Sequence, residues 1–265
     1  MRPVVVIPAR LASTRLPRKP LADIGGQPMI AHVARRARAA GLGPVVVAAD
    51  SVEILAAIEG LQGVTGVLTH PDLQSGSDRV AAALKHFDPA GVHDVVVNLQ
   101  GDLPLVEPDS VARALLPLQD PGIDLGTLVT QVRSPAEAQT DSVVKAVCAF
   151  PAVGEAGPQE DRQTARALYF SRQPVPWGPG PLWHHVGIYA WRRQALEKFV
   201  QLPPGLLEQR ESLEQLRALE AGMAIGCARI ARSFPGVDTP GDLARVRKLV
   251  QEGNLAEAEE VGWPS

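Results

Sequence analysis

An α/β protein on a mostly parallel central sheet, with helices on both faces, is predicted by two observations. Short β-branched runs alternate with helix-like segments through the first 120 residues, and the runs lack the alternating polar positions of a sheet with one wet face. The strand-like runs are Val4–Ile7, Val45–Ala48, Val64–Leu68 and Val95–Leu99. The helix-like segments between and after them lie near Met29–Ala40, Val52–Glu59, Asp78–Phe87 and Asp109–Leu118. Beyond residue 120 the order is less regular. Leu125–Val132, Val143–Phe150 and His185–Trp191 read as strands, and the Gly/Pro-containing 151–160 segment reads as a loop. Leu206–Glu220 reads as one helix, Met223–Ala231 as a strand, and Thr239–Glu252 as a final helix with Thr239 at its cap and Pro240 at its first position. This later region is expected to form a second layer or a dimer arm.

Composition narrows the function. The chain has 265 residues, 45% of them apolar, enough for a substantial core in one large domain or two small ones. Lys and Arg number 26 against 29 Asp and Glu, so the net charge of -3 supplies no general attraction to nucleic acid or anionic membrane. No signal-like segment or membrane-length apolar stretch is read, and a soluble cytoplasmic protein is expected. Cys148 and Cys227 each sit in an apolar strand-like run, which predicts buried free thiols rather than a disulfide or zinc site.

The chemistry is expected at the carboxyl ends of the strands. Val4–Ile7 runs into Pro8-Ala9-Arg10-Leu11-Ala12-Ser13-Thr14-Arg15-Leu16-Pro17-Arg18-Lys19-Pro20, which concentrates Arg10, Arg15, Arg18 and Lys19 where the strand opens to solvent. This reads as a triphosphate grip, with an ordinary solvated basic loop as the alternative. No Gly-Lys-Ser or Gly-Lys-Thr occurs anywhere, which argues against a P-loop ATPase. Asp102 follows the strand Val95–Leu99 through Gln100-Gly101, so it emerges at the same rim, where a carboxylate suits Mg²⁺. A second carboxylate, Asp238, precedes the last helix and can either face a metal or support the helix start.

Three further groups are ambiguous. In the stretch His70–Arg79, Ser75 and Gly76 can present amides or a hydroxyl to a nucleobase while Arg79 points back toward an anion; the alternative is a capped helix with Ser77 as N-cap. Glu211 and Gln215 share one face of the predicted helix and suit sugar hydroxyls, or form its solvated side. His185 and Tyr189, four apart on a strand, point to one face and either bond hydroxyls or pack. His184, His86 and His93 have no partner pattern and read as surface or structural positions.

Taken together, these stretches resemble the 3-deoxy-manno-octulosonate cytidylyltransferases, the CMP-Kdo synthetases, over almost the whole chain. The resemblance rests on Ile7-Pro8-Ala9-Arg10 with Ala12–Pro17 and Lys19-Pro20, Gln74-Ser75-Gly76, Gln100-Gly101-Asp102, Leu168–Arg172 with Pro176-Trp177, Gly187-Ile188-Tyr189, Leu213–Arg217 and Val237–Pro240. It implies a Rossmann-like nucleotidyltransferase (nucleotide-diphospho-sugar transferase) fold with a smaller β-containing dimerisation region. It also implies a homodimer that converts CTP and the acidic eight-carbon sugar Kdo to CMP-Kdo and pyrophosphate with Mg²⁺. By position, Arg10, Arg15 and Lys19 would hold the triphosphate, Pro8, Ala9, Ser75 and Gly76 would surround cytosine and ribose, and Asp102 and Asp238 would bind metal. Arg79, Gln100, His185, Tyr189, Glu211 and Gln215 would form the sugar-acid side, with Arg172 as a further contributor. The implied layout is one nucleotidyltransferase domain over 1–265: 1–120 mainly for CTP, 121–235 mainly for the sugar and dimerisation, and 236–265 for the metal-site turn and last helix. Three positions depart from the family pattern: Leu103 replaces an acidic residue, Arg18 a common glycine, and Leu11 a frequent aromatic. The segment after Trp177 is shorter than usual.

The expected reaction is in-line attack of the anomeric 2-hydroxyl of Kdo on the α-phosphorus of CTP, with Arg15 and Lys19 compensating charge on the departing pyrophosphate. Rival readings are transfer to another acid sugar, a non-catalytic CTP-binding regulator, and, least supported, a nucleic-acid-binding module.

Overall fold

The run Val4–Ile7 is wholly buried and forms the middle of β1 (Pro3–Ala9). A hairpin follows, β2 (Asp23–Ile24) and β3 (Gln27–Pro28), turned by Gly25 and Gly26 at φ +60 and +83, where a Cβ would be strained. The alternation continues with α1 (Met29–Ala39), β4 (Val45–Ala49), α2 (Val52–Ala56), β5 (Val64–Leu68), α3 (Gly76–Phe87), β6 (Val95–Asn98) and α4 (Pro108–Arg113). The order is β5-β4-β1-β6, all parallel. Every residue of β4 is buried, and because successive side chains point to opposite faces, both faces of the sheet are covered there, whereas the edge strand β5 is half-exposed. These elements belong to a computed structural model that describes residues 1–150 and 163–252; the loop expected at 151–160 lies outside the described residues.

The described residues divide into two compact units, Met1–Ala112 with Phe234–Glu252, and Arg113–Ser233. The second contains β7 (Leu125–Gln131), α5 (Pro135–Gln139), β8 (Lys145–Cys148), β9 (Thr164–Ser171), β10 (Trp183–Arg192), α6 (Arg193–Phe199), α7 (Leu206–Glu211), α8 (Gln215–Glu220) and β11 (Ile225–Arg229). Its strands run β10-β7-β11-β9-β8, and β8 pairs back onto β10, so the five close into a ring. Only β7 and β11 are parallel there. Cys227 is buried and Cys148 half-buried, both as free thiols.

The last helix, α9 (Pro240–Gln251), belongs to the first unit and starts as expected. Thr239 accepts from the Asp242 N–H, and the Asp242 carboxylate accepts from the Thr239 N–H, a capping box. Its apolar face, Leu243, Val246 and Leu249, packs with Leu16, Ile24, Met29, Leu105 and Val237 in one buried cluster.

Several expectations are corrected. The predicted helix Asp109–Leu118 is α4 followed by a 3-10 turn at Leu116–Gln119, because Pro117 has no N–H to continue the ladder. The single helix Leu206–Glu220 is two, since Ser212 adopts φ +53 and ends α7; the second helix is tied back by Arg217 donating to Glu208 at 2.8 and 2.5 Å. Glu211 and Gln215 therefore do not share a helix. The N-cap of α3 is Ser75, not Ser77, because Asp78 three residues on completes a capping box with Ser75. Strand β9 and helices α5 and α6 are additions to the sequence reading.

Candidate active site

At the carboxyl ends of β1 and β6, beside the start of α3, the first unit opens a cavity of about 750 Å³. It is lined by Pro8, Ala9, Arg10, Arg15 and Lys19 from β1 and its loop, and by Ser75, Gly76 and Arg79 from the start of α3. Gln100 and Asp102 line it after β6, and Asp238 before α9. Every sequence-derived site residue of this unit thus reaches one cleft.

The basic loop is pinned along its length. The Leu11 N–H donates to Asp50 Oδ1 at 3.0 Å, Leu16 sits in the core cluster under α9, and the Arg18 N–H donates back to the Leu11 carbonyl at 3.3 Å. Arg18 makes the turn at φ +56, a left-handed value that favours glycine, which accounts for the glycine common there in the family the sequence resembles. Its guanidinium pairs with Glu53 on α2 rather than lining the cleft.

Two carboxylates meet one ammonium. Lys19 Nζ donates to Asp102 Oδ2 at 2.8 Å and to Asp238 Oδ1 at 3.0 Å, and Arg15 lies 3.3 Å from Asp238 Oδ2. Burial pulls the Lys19 pKa down, but Asp102 and then Asp238 outweigh it, and the net shift is upward. The backbone arranges this convergence. A Cβ on Gly101 would stand 2.9 Å from the Pro8 carbonyl oxygen, so only glycine lets the chain after β6 pass this close to β1. The Val237 N–H donates to the Asp102 carbonyl at 3.0 Å, and Asp242 Oδ2 accepts from the Asp238 N–H at 3.2 Å. Two carboxylates gathered around one cation form an all-oxygen donor set that suits Mg²⁺, which takes its other oxygens from phosphate and water. Among the described residues no group of three or more His, Cys, Asp or Glu forms a protein-only metal cage.

The α3 side of the cleft is partly self-satisfied. Ser75 Oγ is engaged with Asp78, and Gln100 donates to Asn98 Oδ1 at 3.2 Å. Arg79 is 2% exposed and donates to Thr69 Oγ1 at 2.6 Å and to the carbonyls of His70 and Pro71 at 3.2 and 3.3 Å. It braces the loop ahead of α3 as well as lining the cleft. A Cβ on Gly76 would meet nothing closer than Pro8 Cγ at 3.7 Å, so the missing side chain leaves room in the cleft and relieves no crowding.

His185, Tyr189, Glu211 and Gln215 belong to the second unit. His185 and Tyr189 do share a face, with ring centroids 5.6 Å apart, because β10 bulges between Val186 and Tyr189 by two extra residues and so preserves the alternation. Burial, then the charge of His184, lowers the His185 pKa to about 3, and burial raises that of Tyr189. The Tyr189 hydroxyl donates to Gln215 Oε1 at 3.4 Å, while Gln215 Nε2 is buried with no partner among the described residues. Glu211 is engaged by Ser171 Oγ at 2.8 Å and the Arg172 N–H at 3.0 Å, and Arg172 Nε returns to the Glu211 carbonyl at 2.7 Å. Of the surface and structural readings left open for His184, the structure gives the second: it is buried, with Nδ1 3.4 Å from Glu137 Oε1. Sequence reasoning missed Asp50, Asp242 and Thr127, which touch the site residues from behind. Only Asp242 carries a readable signal, a Thr-x-x-Asp capping spacing.

A parallel α/β sheet with a cationic loop and paired carboxylates at its carboxyl rim is the architecture of a nucleotidyltransferase. The chain belongs to the cytidylyltransferase family, whose profile matches residues 4–225. It is 56% identical over 254 residues to the 3-deoxy-manno-octulosonate cytidylyltransferase of Methylobacterium radiotolerans, covering 96% of this chain and 98% of that one. The solved structure of a CMP:2-keto-3-deoxy-manno-octonic acid synthetase complexed with CTP superposes with a TM-score of 0.84 at 40% identity, over 96% of this chain and all of that chain. A nucleotidyl transferase from Methanothermobacter thermautotroptrophicus shares the fold at 16% identity and a TM-score of 0.58, over 95% of this chain and 99% of that chain.

Proposed function

We propose that this protein transfers CMP from CTP to the anomeric 2-hydroxyl of 3-deoxy-D-manno-octulosonate, giving CMP-Kdo and pyrophosphate for lipopolysaccharide precursor synthesis. The observation that carries the reading is the cleft where Asp102, Asp238, Lys19 and Arg15 converge at the end of β1, in a chain this similar to proteins of that name.

In this reading Arg10, Arg15 and Lys19 bind the triphosphate, and Pro8, Ala9, Ser75 and Gly76 surround the cytidine. Gly76 leaves space for it, and the capping bonds of Ser75 keep the start of α3 rigid. Asp102 and Asp238 would hold Mg²⁺, which when bound would polarise the α-phosphoryl group and offset its charge. Arg15 and Lys19 neutralise the charge that develops on pyrophosphate, already fixed in place by the pinned loop. Arg79, Gln100, His185, Tyr189, Glu211 and Gln215 serve the acid sugar; the neutral His185 suits a hydroxyl better than a carboxylate, and the Gln215 Nε2, without a partner among the described residues, supplies a donor. A homodimer is part of this reading, and size-exclusion chromatography with light scattering tests it. No helix among the described residues is long and apolar enough to cross a membrane, and CTP consumption fits the cytoplasm.

Pyrophosphate release is measured with CTP and Mg²⁺, with Kdo added or omitted and sialic acid in parallel. Kdo-dependent release is expected. CTP binding without release for any acid sugar would overturn the reading in favour of a regulatory role.

A further inference from the structure

Thr127 lies inside β7 with no exposed surface, opposite the bulge of β10, and its hydroxyl has three polar neighbours. Nε2 of His185 is 3.0 Å away, the Ile188 carbonyl oxygen 2.9 Å, and the Val186 carbonyl oxygen 3.4 Å. A hydroxyl has one proton, and carbonyl oxygens only accept. Given to Nε2, the proton would leave the hydroxyl oxygen facing the Ile188 carbonyl oxygen at 2.9 Å with no hydrogen between them; given to Ile188, it leaves a lone pair for His185 and every contact is satisfied. Nε2 must then donate. A neutral imidazole protonated at Nε2 carries only a lone pair at Nδ1, and His185 Nδ1 makes no hydrogen bond among the described residues.

We propose that Thr127 is a positioning residue that fixes His185 as the Nε2-protonated tautomer, so that Nδ1 offers an acceptor to a hydroxyl of the acid sugar. The sugar half of this statement rests on the function proposed above. The surroundings support both halves. The His185 ring is held by Phe170 at 4.9 Å and Tyr189 at 5.6 Å between centroids, which limits its rotation. Burial keeps it neutral, so the choice of tautomer persists across the working pH range. Gln215 Nε2 supplies a buried donor in the cluster reached through Tyr189, so the group pairs one acceptor with one donor. A polyol needs both, because each hydroxyl donates once and accepts as well.

Nitrogen NMR of histidine-labelled protein reads the tautomer in the free enzyme, with the His185 signals assigned from a His185→Gln spectrum. A pyrrole-type Nε2 and a pyridine-type Nδ1 are expected in wild type and Thr127→Ser, with that pattern lost in Thr127→Val. A pyrrole-type Nδ1 in wild type overturns the proposal. Adding Kdo is expected to move the Nδ1 resonance; an unmoved resonance at saturating Kdo overturns the sugar half without needing any variant to fold. In turnover, Thr127→Val is expected to raise KM for Kdo about tenfold, one hydrogen bond's worth, with KM for CTP unchanged and Thr127→Ser recovering. If wild type transfers CMP to no acid sugar, the functional reading fails while the spectrum still decides the tautomer.

Discussion

Asp102 and Asp238 lie 136 positions apart, yet the Val237 N–H bond to the Asp102 carbonyl brings their turns together. Their charges are what the proposed chemistry needs. Asp102→Asn is expected to lower turnover at least ~100-fold at limiting Mg²⁺ while leaving the unfolding midpoint near wild type. A near-normal rate there removes the metal role. His185 makes a separate prediction about stability. Its folded pKa, about 3, lies below the ordinary histidine value, so between those values the unfolded chain binds the extra proton. Stability from this residue is complete above pH ~6.5 and is lost as pH falls toward about 3, by up to about 1.4 kcal/mol per pH unit. Urea unfolding from neutral to acid pH should therefore show a shallower loss in His185→Gln than in wild type; identical slopes would mean the imidazole is not held neutral. At this scale the sequence showed which charges belong to the cleft but not how far each is already engaged. Arg79 was legible as a cation at the start of α3, where it lines the cleft. Its three bonds to Thr69, His70 and Pro71 come from a loop conformation that spacing does not encode.

Strands and helices that answer to local chemistry were legible. The β-branched runs became β1, β4 and β6 because a strand buried on both faces needs no more than apolar continuity, the partly exposed β5 pairs beside them at the sheet edge, and α9 began at Thr239 because its cap is local. Elements set by tertiary contacts were not. β9 mixes buried Ala167 and Phe170 with exposed Leu168, an irregular pattern fixed by neighbours on both edges. The break between α7 and α8 carries no glycine or proline; it is held by Arg217 on Glu208 and by Glu220 accepting from the Leu207 and Glu208 N–H groups. Ser212 bears the left-handed turn without help from its side-chain type. Ser212→Gly is expected to stabilise the protein by about 1 kcal/mol in chemical denaturation, with turnover unchanged. A loss of stability would mean that the serine contributes more than backbone geometry.

For the whole molecule, a net charge of -3 coexists with a strongly cationic cleft, so charge acts locally. Arg15 keeps about two-thirds of its side-chain surface in water, where added salt screens it, whereas the core under α9 is indifferent to salt. Raising ionic strength from low to about 0.5 M is therefore expected to increase KM for CTP several-fold with little change in the unfolding midpoint. Parallel loss of both would show that salt acts on folding rather than on the cleft.

Under the function proposed above, Lys19 would impose an order on arrivals at that cleft. Its ammonium is counter-ion to both carboxylates, so in that reading a divalent ion coming alone would have to evict a resident the chain carries with it. Nucleotide phosphates would offer the lysine other oxygens and so release the pair, which would make each ligand the other's admission and tie their affinities reciprocally. Mn²⁺ titration followed by its paramagnetic signal should show weak uptake without CTP and at least ~5-fold tighter uptake by Lys19→Met under the same nucleotide-free conditions. Equal uptake by both proteins would reduce the lysine to a bystander; unequal uptake makes it the gatekeeper against a metal that arrives before there is anything to activate.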